Sequence, residues 1–216
     1  MPVCANTQED PVLLYFGDSY IAEGDTYVAV PLRVDNNNEG FFSIVFDIMY
    51  NPQILTYKTC VSKDFIVTEG GEYENSLSSR GQTFVIENKK IANYKKVSSD
   101  VLYLIFSINE TMPYIGFTPV QVIEPIIGTG NTGNGLYDDC DVAFACGESG
   151  SLGFCIVGDA NNDAAVNLKD VLMLRKVVAD FDNLNYSFRA SDMDNSLGVD
   201  MKDVLLLRRD IATSTT

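Results

Sequence analysis

The chain has 216 residues, 46% of them apolar, which is enough to build a hydrophobic core in one or two domains. Its 15 Lys and Arg stand against 30 Asp and Glu, a net charge of −15, and this balance argues against nucleic acid as a partner because phosphate contacts need clustered cations. No stretch approaches the roughly 20 apolar residues of a membrane span, and with no histidine there is no zinc site of the usual kind and no Cys–His catalytic pair.

In chain order, MPVCANTQED lacks the basic start and apolar core of a secretory signal and reads as the beginning of a trimmed, mature chain. Up to residue 157, short runs rich in β-branched and aromatic residues then follow one another: VLLYF (12–16), TYVAVPLRV (26–34), FFSIVFDIMY (41–50), ILTYK (54–58), TFVIEN (83–88), VLYLIFSI (101–108), PVQVIE (119–124), DVAFA (141–145) and LGFCIV (152–157). Between them lie turn-forming clusters such as NNNEG, EGGEYENS and GTGNTGNG. Many short strands with this punctuation predict a β-sandwich over residues 1–157. The alternation in VAVPLRV predicts a strand with one wet face, whereas VLYLIFSI is apolar almost throughout and predicts a central strand. The five cysteines form no CxxC, and Cys140 and Cys146 would sit too far apart to join if they shared a strand.

From residue 158 the pattern changes. Shifting the chain by 33 residues lays 192–212 over 159–179 with ten of 21 positions identical, so this segment is an internal repeat. Each copy places oxygen donors at the first, third, fifth, ninth and twelfth places of a twelve-residue window, namely Asp159, Asn161, Asp163, Asn167 and Asp170, then Asp192, Asp194, Ser196, Asp200 and Asp203. With the seventh-place carbonyls of Ala165 and Gly198 added, the set suits one calcium ion per loop, since this hard cation takes six to eight oxygens at about 2.3–2.6 Å. Magnesium fits less well because it demands a tighter octahedron and keeps its waters. The sixth place, where glycine makes the sharp turn of such loops, carries Ala164 and Leu197. Left-handed backbone there costs roughly 1–2 kcal/mol per residue. The second loop, with bulkier Leu197 and neutral Ser196, is therefore expected to bind more weakly, and glycine at 197 to strengthen it.

The two loops, each closed by Asp and followed by VLMLRK and VLLLRR, resemble a type I dockerin, the calcium-folded docking module of bacterial cellulosomes, over residues 158–212. The resemblance implies a pseudo-twofold pair of helices that docks onto a cohesin domain through Leu168, Lys169, Arg175 and Lys176 or the mirror set Met201, Lys202, Arg208 and Arg209. Basic residues near a helix end can also simply offset the helix dipole. Upstream, GDTYVAVPLRVDN, FFSIVFDIMYNPQIL and GLYDDCDVAFACGESGSLGFCIV resemble strands and loops of a cohesin, the partner of dockerins. The implied fold is a jelly-roll, cohesin-like β-sandwich (1–157) followed by a small all-α dockerin (158–216) with two EF-hand-like loop–helix repeats and two Ca²⁺. A carbohydrate-binding module of similar shape is the alternative for the sandwich, and the absence of tryptophan argues against it.

Residues 1–157 carry a net charge of −12 and residues 158–216 a net −3, so two calcium ions would bring the second segment to +1 and could steer an acidic partner to its basic helix ends. The resemblance implies a secreted, monomeric and non-catalytic adaptor of an extracellular or cell-surface complex in an anaerobic bacterium. One half would capture a dockerin-bearing protein while the other plugs into a cohesin. A catalytic reading would have to use carboxylate pairs such as Glu72 with Glu74 or Asp138 with Asp139, which lie in turn-like sequence where solvation is the simpler account. Gly158 is almost the whole spacer before Asp159, too short to let the helices fold back onto a distant face, so two separate outward sites are expected.

Overall fold

Alternation along SIVFDIMY drives Ile44, Phe46, Ile48 and Tyr50 to one face, where all four are buried, and leaves Ser43, Val45, Asp47 and Met49 on the other. The computed structural model describes residues 10–22, 24–37, 40–74, 80–89, 98–109, 120–131, 137–141, 144–180, 184 and 186–214. Its strands are β1 (Val12–Phe16), β2 (Ser19–Ile21), β3 (Tyr27–Asp35), β4 (Ser43–Tyr50), β5 (Leu55–Val61), β6 (Phe65–Glu74), β7 (Arg80–Asn88), β8 (Ser98–Ile108), β9 (Val120–Asn131), β10 (Tyr137–Asp141), β11 (Phe144–Cys146) and β12 (Leu152–Phe154). They form two sheets. One runs β10-β9-β4-β7-β6 and is antiparallel throughout. In the other, β8 lies between β5 and β3, and the far side of β3 is flanked by β1 and β2 in succession.

The edge of this second sheet is parallel, β11 pairing with β1 and β12 with β2. Both edge strands break at the same level, where Gly150 passes so close to the Gly17–Asp18 backbone that a Cβ would lie 2.4 Å from the Asp18 nitrogen. The two inner faces enclose a core that includes Phe16, Phe41, Phe46, Phe65, Phe84 and Phe106, with Phe46 and Phe84 stacked at 5.5 Å.

Three strands were not legible in the sequence, β2, β6 and β10. EGGEYENS reads as a turn, yet its first six residues finish β6, and GTGN of the GTGNTGNG cluster extends β9. Glu72, Glu74, Asp138 and Asp139 accordingly lie in strands rather than turns, their side chains outside the described residues.

VLYLIFSI is central as expected, but the wet face predicted for VAVPLRV is largely dry. Val28, Val30, Leu32 and Val34 point into the core, while Ala29 and Pro31 on the opposite face are buried too, as are their β8 partners Ile105 and Tyr103. What covers them is the C-terminal segment. It comprises α1 (Leu168–Val178), the single turn α2 (Phe188–Ser191) and α3 (Met201–Ser214). Helices α1 and α3 pack on each other through Val171, Leu174, Val204 and Leu207, two repeat-related pairs, with Ala160 beneath them. A separate cluster joins this segment to the sandwich. Phe188 stacks on Tyr103 at 4.1 Å, with Ala29 and Ile105 beside them and Tyr186, Leu197 and Val199 around the edge.

The expectation that a short spacer holds the halves apart is therefore corrected. β12 ends at Phe154 beside β2, so the outer face of β2, β3 and β8 is adjacent to the chain's exit rather than distant, and the four residues 155–158 suffice to reach it. Gly158 makes the turn at φ +94, its amide donating to the Ala190 carbonyl at 2.8 Å. A Cβ there would meet Leu207 and Val166 at 3.0 Å each, so glycine is required on both conformational and packing grounds.

Candidate cation loops and docking face

Both twelve-residue windows fold into the same tight loop. In the first, Asp159 accepts the amides of Asp163 (3.0 Å) and Ala164 (2.8 Å), Asn161 accepts that of Asp163 (2.9 Å), and Asp170 reaches back to those of Asn161 (3.1 Å) and Asn167 (2.8 Å). In the second, Asp192 accepts the amides of Ser196 (2.9 Å) and Leu197 (3.0 Å), Asp194 that of Ser196 (3.1 Å), and Asp203 those of Met193 (2.7 Å) and Asp200 (2.8 Å). The bonds to Asp159 and Asp192, and to Asn161 and Asp194, recur position by position as sequence repetition implies. Asp203 takes the amide of Met193 in addition to that of Asp194 (3.4 Å), the counterpart of Asn161. The ninth and twelfth residues also start the helix, for Asn167 and Asp170 form a capping box on α1. The seventh-place carbonyls take side-chain donors from within their loops, Ala165 from Asn167 Nδ2 at 2.9 Å and Gly198 from Ser196 Oγ at 3.5 Å.

Ala164 and Leu197 take φ +63 and +64, the left-handed turn a glycine would make without strain. Backbone strain is thus equal in the two loops and does not rank them. Carboxylate convergence does differ. Asp192, Asp194 and Asp203 bring ligand oxygens within 4.8 Å of one another, an all-oxygen cluster suited to a hard cation. Asp159, Asp170, Asp192 and Asp203 are buried, and burial raises the Asp192 carboxyl above its ordinary value. Neighbouring lysines supply positive charge at the rim. Lys169 Nζ lies 3.1 Å from Asp163 and Lys202 Nζ 2.5 Å from Asp194, and their hydrogen bonds hold both carboxyls below the usual range. Residues present thus fit the calcium reading in donor type, spacing and charge.

All eight proposed docking residues are solvent-exposed: Leu168, Lys169, Arg175 and Lys176 on α1, and Met201, Lys202, Arg208 and Arg209 on α3. Lys169 and Lys202 turn back to their own loops, and Arg209 contacts Asp210 at 3.2 Å. Sequence reading missed Leu172 and Leu205, which are 56% and 61% exposed and stand one turn beyond Leu168 and Met201. Their signal was present, since these leucines are identical in the two copies and lie off the buried stripe of Val171 and Leu174. Each helix therefore shows solvent an apolar pair followed by basic side chains.

A cleft of about 480 Å³ runs between β5, β8 and the C-terminal segment. Along its wall Arg33 Nε lies 3.0 Å from Asp100, which accepts the Tyr103 hydroxyl at 2.8 Å, and Tyr103 meets the Tyr186 hydroxyl at 3.0 Å. Burial pushes the Asp100 carboxyl up and the Tyr186 phenol to about 12.

No protein-family model matches the chain, and no curated protein does. Solved structures with a similar outline include cohesins. A type I cohesin–dockerin complex from Clostridium thermocellum is 12% identical, over 67% of this chain and 99% of that chain, with a TM-score of 0.48. The seventh ScaB type I cohesin from Pseudobacteroides cellulosolvens is 13% identical over 67% and 91%, TM-score 0.42. A non-cellulosomal cohesin from the archaeon Archaeoglobus fulgidus is 12% identical over 68% and 92%, TM-score 0.38. The two-sheet sandwich described above stands on its own strand pairings. Among the described residues no helix is long and apolar enough to cross a membrane.

Proposed function

We propose that the chain is a non-catalytic assembly protein of an extracellular or cell-surface complex, whose C-terminal segment takes up two calcium ions and docks onto a cohesin-type domain. The observation that carries this reading is the duplicated unit itself, a carboxylate-lined loop feeding a helix that displays Leu168 and Leu172, or Met201 and Leu205, ahead of basic residues. Exposed apolar pairs of this kind suit the buried centre of an interface, and the basic residues beyond them suit an acidic rim. Calcium would be held by Asp159, Asn161, Asp163, Asn167, Asp170 and the Ala165 carbonyl, and by Asp192, Asp194, Ser196, Asp200, Asp203 and the Gly198 carbonyl. It supplies the counter-charge that lets buried carboxylates converge.

The sandwich, by its sequence resemblance to cohesins, would capture a second, dockerin-bearing protein. Carbohydrate binding is the other reading for that half, and retention on cellulose, xylan or starch would show it. Circular dichroism in excess chelator tests the central claim. Helix should be lost and then restored by calcium but poorly by magnesium, with capture of a cohesin following the same course. Unchanged helicity in chelator overturns it.

A further inference from the structure

The sandwich touches both loops at the same place. Tyr20 on β2 pairs in register with Ala29 of β3, and Tyr27 stands two residues before Ala29 on the same outer face. Each tyrosine reaches the fourth residue of one loop, Asn162 or Asn195, repeat-equivalent asparagines at φ +60 and +61. The two contacts are unequal. The Tyr20 hydroxyl accepts from Asn162 Nδ2 at 3.4 Å, at the limit of a hydrogen bond. The Tyr27 hydroxyl donates to Asn195 Oδ1 at 2.5 Å and lies 3.3 Å from Asp192 Oδ2, an oxygen of the first proposed ligand.

Arg189 reinforces the second contact. Its Nε and Nη2 each donate to Asp25 of the sandwich at 2.7 Å, its Nη1 donates to the Asp192 carbonyl at 3.2 Å, and its guanidinium lies 6.0 Å from the centre of the Tyr27 ring. The first and second loops therefore share most of their internal bonding but differ in their surroundings. Among the described residues the first loop meets the sandwich through the long Tyr20–Asn162 contact, and the second is fixed to it through Tyr27, Asp25 and Arg189.

We infer that Tyr27, with the Asp25–Arg189 pair, is a positioning residue for the second cation loop, so that loading of this loop and seating of the C-terminal segment on the sandwich are one coupled equilibrium. This inference rests on the calcium reading above. The physical reason is direct. A cation needs Asp192 and the Asn195 turn in one arrangement, and the tyrosine hydroxyl and the guanidinium hold that arrangement only when the segment is seated. By reciprocity, the cation favours seating by the same factor that seating favours the cation.

The test is a calcium titration of the full chain in chelator-buffered solution, followed by NMR at the backbone amides of Ala165 for the first loop and Gly198 for the second. Tyr27→Phe removes only the hydroxyl, and Asp25→Asn leaves Arg189 without its counter-charge. Each should weaken calcium at the second loop about tenfold, the scale of one lost hydrogen bond to a charged group, and leave the first loop within about twofold. Tyr20→Phe should leave both loops near their original affinities. Wild-type affinity at Gly198 in both Tyr27→Phe and Asp25→Asn, or equal weakening of the two loops, overturns the coupling. Failure of the unaltered chain to take up calcium at either amide overturns the cation reading itself, and is distinguished by that.

Discussion

Asp25 of the sandwich and Arg189 of the C-terminal segment, 164 residues apart in sequence, form a two-pronged ion pair with both N···O distances at 2.7 Å and side chains only 6% and 10% exposed. The carboxylate holds the guanidinium proton more firmly than usual. Removing one partner of a pair this buried strands the other charge, and the cost of that is typically about 3–5 kcal/mol. Asp25→Ala should lower the stability of the full chain by that order in urea unfolding, whereas Lys63→Ala, which breaks an exposed pair with Asp180, should change it by less than about 1 kcal/mol. Equal, small effects from both would show that the segment is not held at this point.

Glycine substitutions should separate the two loops. Ala164 is exposed at φ +63, so Ala164→Gly relieves left-handed strain at little cost in packing and should stabilise the calcium-loaded protein by about 1 kcal/mol. Leu197 has the same backbone but packs against the Tyr103–Phe188 cluster. The side chain is partly buried, so its loss forfeits on the order of 2 kcal/mol of apolar burial, enough to outweigh roughly 1 kcal/mol of strain relieved. Where the sequence alone predicts tighter binding for glycine at 197, the packing of Leu197 predicts a loss of folding stability. Thermal unfolding in saturating calcium, rising for Ala164→Gly and falling for Leu197→Gly, is the check.

Docking should depend on the leucines more than on the lysines. Lys169 and Lys202 are engaged with their own loops, while Leu172 and Leu205 stand exposed with no such tie. Calorimetry against a cognate cohesin should show a loss of about tenfold or more for the pair Leu172→Ala and Leu205→Ala together, consistent with truncating buried interface anchors. Substituting only one basic set, Arg175 and Lys176 or Arg208 and Arg209, should weaken binding slightly if either helix can serve. Loss of binding from one set alone would mean a single docking mode.

The Cys155 thiol, half-buried beside the interface, is pushed up from 9.0 to about 11, chiefly by burial. A thiol that holds its proton more tightly folded than unfolded contributes stability below pH 9 that is lost as pH rises through about 11. Alkylation followed by peptide mass analysis at pH 8.5 should find Cys155 slow until the chain is unfolded. Rapid labelling in the folded protein would contradict the burial.

Much of the molecule was written locally. Short runs of β-branched and aromatic residues between turn clusters placed β1, β3, β4 and β8, because these side chains favour extended backbone wherever they lie. The loop–helix repeat was equally legible, since every bond that shapes it joins residues at most ten apart, from the Asp159 and Asp192 turns to the Asp170 and Asp203 returns. Strands β2, β6 and β10 were not legible, because SYI is too short to show a period, EGGEYE owes its extension to pairing with β7, and the polar YDDCD owes its own to pairing with β9.

What the sequence could not determine is how the halves meet. The alternation in VAVPLRV says that Ala29 and Pro31 share a face, but not whether water or protein covers it. That was decided by β12 choosing the edge beside β2, which delivers Gly158 next to the tyrosine-bearing face and brings Phe188 onto Tyr103. The contacts that join Tyr27 to Asp192 and Asp25 to Arg189 span more than 160 residues. No local propensity encodes a partner that far along the chain, so only the closed sandwich with its exit strand in place could select them.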